Sequence, residues 1–209
     1  MKIINTAVIG SGFMGAAHIE ALRRIGGVNI KAIVSDDLPA AKSIAEKYSI
    51  PDVYSDYKKV LEDKEIEAIH NCTPNYLHFE INKAAAEAGK HIISEKPFTT
   101  NSEDSKVLVD LVKKNKLVNA INFNYRFYPL IQHAKRIIEK GELGDIYLTH
   151  GHYLQDWLFY NTDYNWRLEP EISGASRAVA DIGSHWCDMI QFLTGMKIKK
   201  VFADIFTIH

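Results

Sequence analysis

Apolar runs of strand length, IINTAVIG, NIKAIVS, EAIHNCT and KHIIS, alternate along the first half of the chain with longer segments of helical period, among them FMGAAHIEALRRI and LPAAKSIAEKY. The strand-length runs are continuously apolar, which predicts strands buried on both faces. Such burial requires a parallel sheet with helices on each side. TTNSEDSKVLVDLVKKN predicts a further helix, opened by a capping box of Thr100 with Glu103, and LVNAINF predicts a further strand. The pattern places a first domain at residues 1–122.

Over residues 123–209 the pattern changes. PLIQHAKRIIEK predicts a helix stopped at Gly141, and GDIYLTHGHYL alternates like a half-exposed strand. A polar and aromatic loop follows. ADIGSHWCDMIQFLTG returns to helical spacing with a glycine at its end, and KIKKVFADIFTIH predicts another strand. Two strands and two helices make a thin domain, and a terminal apolar strand would leave an open edge. The expectation is therefore an incomplete second domain, with the natural protein continuing past His209.

Composition narrows the partners. With 209 residues, 46% hydrophobic, and a net charge of -1, the chain has the composition of an ordinary globular protein and no general attraction to nucleic acid or anionic membranes. No stretch approaches the roughly 18 apolar residues of a membrane span, and MKIINTAVIG is too short in its apolar run for a signal peptide. Cys72 and Cys187 lie far apart in apolar segments, which predicts free thiols in a reducing compartment. A cytoplasmic protein is expected, with no nucleic-acid or membrane partner.

The first strand-to-helix turn carries Gly10, Gly12 and Gly15 as G-x-G-x-x-G, with Phe13 and Met14 between the last two. In that pattern the first glycine permits a tight turn, the second lets backbone approach a pyrophosphate, and the third lets helix and strand pack closely. Asp36 and Asp37 stand about twenty residues further on, where an acid accepts hydrogen bonds from an adenosine ribose and repels a 2'-phosphate. Asp36 is the candidate and NAD the expected cofactor, with NADP possible. Two alternatives stand: both acids cap the following helix, or Ser35 occupies the ribose position.

Ligands in open parallel sheets bind outside the carboxyl ends of the strands. SEKPF follows one such end, so Lys96 is placed to donate toward a substrate oxygen, with Pro97 restricting the backbone behind it. In DIGSHWCD, Asp181 and His185 are four apart and Asp188 follows a turn later, which predicts one helical face with a proton-handling imidazole and a carboxylate to orient it. A metal site is the rival reading; without a clear further ligand, none is assigned.

The motifs VIGSGFMG, TPNYLH, AGKHIISEKP, NYRFYP, GELGDI, WR and DIGSHWCD, in that order, resemble the Gfo/Idh/MocA family of NAD(P)-dependent oxidoreductases. The resemblance implies an α/β architecture: an N-terminal Rossmann domain with a parallel sheet, then an α/β domain with a mostly antiparallel sheet, truncated here, through which the full-length protein forms a homo-oligomer. It implies catalytic roles for Lys96, Asp181 and His185. It also implies that Thr73, Pro74, Asn75, His78, Glu95 and Lys96 surround the cofactor beside the glycine loop, and that the Lys96–Pro97 bond is cis. Two departures bear on the site: Ser35 stands where many members keep the ribose-binding acid, and ISGASRAVADIG holds a single Gly174 where many have a glycine run.

In YLQDWLFYNTDYNWR six of fifteen residues are aromatic, interleaved with carboxylate and amide groups. Aromatic faces with such groups suit a sugar or polyol ring; a packed surface is the alternative. Tyr153, Asp156, Trp166 and Arg167, with Arg126 and His185, form the expected substrate set, and His150 and His152 either line the same pocket or face solvent. The function expected is hydride exchange between NAD(P) and a secondary alcohol or ketone of a sugar, polyol or cyclitol. The alternative is a non-catalytic dinucleotide-binding sensor of the same fold.

Overall fold

A computed structural model describes residues 2–206, and the chain divides into two compact units, Met1–Asn122 and Phe123–His209. In the first unit, strands β1 (Ile4–Ile9), β2 (Val28–Val34), β3 (Asp52–Tyr54), β4 (Ala68–Asn71), β5 (His91–Ser94) and β6 (Asn119–Ile121) form one sheet in the order 3-2-1-4-5-6. All five pairings are parallel, as the continuous apolar runs predict. The order reverses between β1 and β4, which creates a crevice at their carboxyl ends.

Helices α1 (Phe13–Arg24), α2 (Leu38–Tyr48), α3 (Lys58–Glu62), α4 (His78–Glu87) and α5 (Ser102–Lys114) connect the strands. The strand period of two sorts side chains to opposite faces. Ala7, Ile9, Ala32, Val34, Ile69 and Ile92 pack with Ile81 and Ala85 of α4 and Val112 of α5. Val8, Ile30 and Ile33 pack with Ile19 and Leu22 of α1 and Ala41, Ala45 and Tyr48 of α2. Ala7, Val8, Ala32, Ile33 and Ile69 are all 0% exposed, so the centre of the sheet is fully covered.

One cap differs from the sequence expectation. Asn101, not Thr100, is the N-cap of α5: its Oδ1 accepts from Asp104 N at 2.8 Å, and its Nδ2 donates to the Asp104 carboxylate at 2.7 Å. The box is shifted one residue because asparagine bonds a helix-start amide at least as well as threonine does.

The second unit holds α6 (Pro129–Glu139), α7 (Pro170–Ser173), a π-helical turn (Val179–Gly183) and α8 (Ser184–Thr194). Gly141 beyond α6 and Gly195 at the end of α8 have φ of 73° and 72°, the left-handed conformation that stops a helix. The alternation in GDIYLTHGHYL and the apolar run KIKKVFADIFTIH both predict strands, yet no described residue of either forms one. A strand exists only through its ladder to a neighbour, and Tyr147, Leu148, Val201 and Phe202 stand exposed. Residues 207–209 of the last run lie outside the described residues. Among the described residues no helix is long and apolar enough to cross a membrane.

Candidate functional site

The glycine loop leaves β1 at Ile9 and enters α1 at Phe13. Gly10 has φ 111°, and a Cβ there would lie 2.5 Å from the Cys72 carbonyl oxygen at the end of β4. A Cβ on Gly15 would lie 2.0 Å from the Gly10 carbonyl oxygen. Those two glycines are therefore required by the fold itself. Gly12 is different: its φ is an ordinary -73°, and a Cβ there would meet nothing within 4 Å. No side chain caps α1, so its first amides point into the space that Gly12 leaves clear. That arrangement fits a dinucleotide pyrophosphate at a helix start. Phe13 is exposed and Met14 half-buried beside it.

At the end of β2, Ser35 is buried and its Oγ lies 2.7 Å from Ser11 Oγ of the glycine loop. Asp37 is the N-cap of α2, accepting from Ala40 N at 3.0 Å, so the capping alternative describes Asp37. Asp36 is exposed, its Oδ1 accepting from Asp37 N at 3.0 Å and from Ser35 Oγ at 3.4 Å.

A network of buried side chains braces the ends of β4 and β5. Asn71 Nδ2 donates to Asn82 Oδ1 at 3.0 Å, Asn82 Nδ2 donates to Ser94 Oγ at 3.0 Å, and Thr73 Oγ1 donates to Asn71 Oδ1 at 2.7 Å. Thr73, Pro74 and Asn75 are half-buried on the loop after β4. His78, expected around the cofactor, is 0% exposed, with Nδ1 2.5 Å from Pro97 O and Nε2 2.8 Å from Thr73 O. It ties the two strand-end loops together from beneath. Burial holds its pKa below the usual imidazole value despite those carbonyls, and a neutral ring has one N–H to offer them.

Glu95 also turns inward. Its Oε1 lies 3.0 Å from His18 Nε2 and accepts from Asn122 Nδ2 at 2.5 Å, while His18 Nδ1 lies 2.9 Å from His70 Nδ1. Burial alone would raise the Glu95 pKa, but the bonds from His18 and Asn122 outweigh it and hold the carboxyl below its ordinary value. Lys96, which follows, is half-buried, and the Lys96–Pro97 bond is cis, as the resemblance implies. Cys72, partly buried and unbonded to another cysteine, has its thiol pKa raised by burial.

In the second unit, His185 is buried, stacked on the Tyr125 ring at 4.2 Å between centroids and meeting Phe123 edge-on at 5.7 Å. Burial and a hydrogen bond with Tyr153 push the Tyr125 hydroxyl up to about 12, so Tyr153 belongs to the same aromatic group. Asp181 lies 3.3 Å from Arg167 Nε and 3.8 Å from Arg177 Nη1. Those guanidinium groups sit over the rings of Trp166 and Trp157 at 4.5 and 5.4 Å.

The expected face of Asp181, His185 and Asp188 spans two elements, with His185 and Asp188 on α8 and Asp181 in the π-helical turn before it. In that turn Ser184 N reaches back to Val179 O, the five-residue step of a π-helix. Asp188 pairs with Arg126, which donates from Nε at 2.6 Å and from Nη2. That pair ties Arg126, assigned above to substrate, to α8, where its guanidinium also lies 5.2 Å from the Phe192 ring centre. Asp156, His150 and His152 are exposed. Among the described residues no cluster of three or more His, Cys, Asp or Glu side chains is placed to hold a metal ion.

The sequence reading misses His18, His70, Tyr125 and Arg177. A polar histidine inside the apolar faces of FMGAAHIEAL and EAIHNCT is the one signal that marks the first two.

Residues 4–123 match the model of an oxidoreductase family with NAD-binding Rossmann fold, and residues 131–209 match the Gfo/Idh/MocA C-terminal domain. Levoglucosan dehydrogenase of Pseudarthrobacter phenanthrenivorans is 38% identical over 204 residues, covering 93% of this chain and 52% of that protein. Inositol 2-dehydrogenase of Corynebacterium glutamicum is 28% identical over 202 residues, covering 96% of this chain and 57% of that one. A solved structure of levoglucosan dehydrogenase in complex with NADH and levoglucosan superposes with a TM-score of 0.87 at 37% identity, covering 93% of this chain and 54% of that one. The chain thus spans about half the length of the curated relatives it matches.

Proposed function

The chain belongs to the Gfo/Idh/MocA family of NAD-binding oxidoreductases, and from that premise we propose that it serves a dehydrogenase exchanging a hydride between NAD(P) and a secondary alcohol or ketone of a sugar, polyol or cyclitol. The observation that carries the reading is Gly12, where a Cβ would meet no described residue within 4 Å at a helix start that no side chain caps. The likeness to levoglucosan and inositol dehydrogenases supports the substrate class.

The bound nicotinamide supplies a hydride acceptor. The chain's own residues handle the proton and the charge. An imidazole nitrogen of His185 accepts the proton of the substrate hydroxyl, and the rings of Tyr125 and Phe123 hold that imidazole in plane. Lys96 donates a hydrogen bond to the same oxygen as it gains negative charge, and Asp181 orients the substrate while neutralising Arg167 and Arg177. Asp36 receives a ribose hydroxyl, which favours NAD over NADP.

The test is a screen of sugars, polyols and inositols with the full-length protein and both dinucleotides, following absorbance of the reduced nicotinamide. Turnover of any of these classes supports the reading. A full-length protein that binds dinucleotide but turns over none of them favours the sensor alternative.

A further inference from the structure

Four elements of the Rossmann unit meet in one buried chain of side chains: His70 on β4, His18 on α1, Glu95 after β5, and Asn122 after β6. His18 and His70 are each 8% exposed and Glu95 6%, so water does not compete for these bonds. Buried networks of this kind hold groups in one arrangement, because every alternative leaves a polar atom unsatisfied. The chain joins the helix that starts at the glycine loop to the backbone that presents Lys96.

We propose that His18, with His70 behind it, is a positioning residue of the dinucleotide and hydride-transfer site. It fixes the Glu95 carboxylate, and through Glu95 the backbone that carries Lys96, relative to the glycine-loop helix. This rests on the dehydrogenase reading above only for its effect on turnover.

The hydrogen-bond inventory defines the roles. Glu95 as a carboxylate can only accept, so His18 Nε2–H and Asn122 Nδ2–H are its donors. Between His18 Nδ1 and His70 Nδ1 one nitrogen carries the proton and the other accepts it. Burial, and secondarily the charge of His18, pushes His70 down to about 3, so His70 is neutral at ordinary pH and has one nitrogen lone pair and one N–H to offer. Both histidines are buried, and their hydrogen bonds run inward to each other and to Glu95. The ring planes of the two are nearly perpendicular, at 84°, which aims each Nδ1 at the other's edge.

The test compares His18→Leu, His18→Gln and Asn122→Ala in the full-length protein. Glutamine can place an amide N–H where His18 Nε2 stands, whereas leucine fills space without donating. For each variant, dinucleotide affinity is measured by calorimetry, turnover is split into kcat and KM, and cooperative unfolding is checked by denaturant. The expected result is that His18→Leu lowers kcat by about 10- to 100-fold, weakens dinucleotide binding, or both, and that His18→Gln regains most of the loss. Asn122→Ala, which removes the other donor, is expected to act in the same direction and decides the matter if His18→Leu fails to fold. Glutamine as poor as leucine would show that His18 only fills space, and variants indistinguishable from the natural protein in both measurements would remove any positioning role. If the natural protein turns over no sugar or polyol, the dehydrogenase reading fails on that arm alone, and the affinity pattern decides this inference by the same criterion.

Discussion

Ser11 Oγ lies 2.7 Å from Ser35 Oγ, so the glycine loop and the end of β2 are joined by a bond between hydroxyls. Ser35 also accepts from Asp37 N at 3.2 Å. Its hydroxyl is engaged on both sides, and the exposed acid beside it, Asp36, is the one proposed to meet a ribose.

Tighter binding of NAD than of NADP is therefore expected, and Asp36→Ala should narrow the gap by about tenfold, in keeping with a hydrogen bond to a charged group. Calorimetric titration with both dinucleotides checks it. A preference for NADP that survives the substitution would give the ribose position to Ser35.

The three glycines should separate stability from binding. Gly12→Ala is expected to unfold at nearly the same denaturant concentration as the natural protein while losing dinucleotide affinity. Gly15→Ala, whose Cβ would meet the Gly10 carbonyl at 2.0 Å, should cost at least about 1–3 kcal/mol of stability. Urea melts paired with calorimetry read both quantities. Equal stability losses at Gly12 and Gly15 would refute the division.

Acid should weaken the Rossmann unit through His70. Its pKa is depressed from 6.5 to about 3 when folded, so the unfolded chain binds more protons between those values, and the stabilising contribution, complete above 6.5, is lost as pH falls through that window. One such group gives a slope of about 1.4 kcal/mol per pH unit. His78 is shifted the same way and adds to it. Denaturant melts from pH 7 downward should show a shallower decline for His70→Gln than for the natural protein, and parallel curves would contradict the assignment.

Asn101→Ala should cost about 1 kcal/mol by uncapping α5, whereas Thr100→Ala should be close to neutral. Chemical denaturation of the two variants side by side distinguishes them, and the reverse order would restore Thr100 as the cap.

For the chemistry, His185→Ala is expected to lower turnover by about 10² to 10⁴ while leaving dinucleotide affinity nearly unchanged. Lys96→Met should act on turnover in the same direction. If both residues attend one oxygen, as proposed, the double variant should lose less than the product of the single losses. Steady-state kinetics of the four proteins test this, and strictly multiplicative losses would argue that the two groups act independently.

The Rossmann unit was legible because its signals are local and redundant: five continuous apolar runs, helical periods between them, and three glycines at a strand exit. Strand β3 and helix α3 are too short, at three and five residues, to carry a period. GDIYLTHGHYL shows the opposite failure, since alternation states which face a strand would bury but not whether a neighbouring strand is there to pair with it. Lys96 and Asp36 are proposed from their position relative to strand ends, which sequence does show. The partnership of Asp188 with Arg126 and that of Glu95 with His18 were not legible, because residues 62 and 77 positions apart leave no periodic trace of their contact.

The π-helical turn at Val179–Gly183 gives residue counting an unusual weight in this stretch. A π turn amounts to one extra residue accommodated in a helix, and each residue of an α-helix advances the chain by about 100° around the axis. Removing a single residue there would let the segment close as an ordinary helix and would shift by one the count that leads from α8 back to Asp181. In comparing relatives, a one-residue gap in this region would be scored as trivial, yet it decides which residue is matched to Asp181. Alignments used to carry roles between members are therefore best anchored on α8 and read backwards, with the gap placed only after the turn has been located.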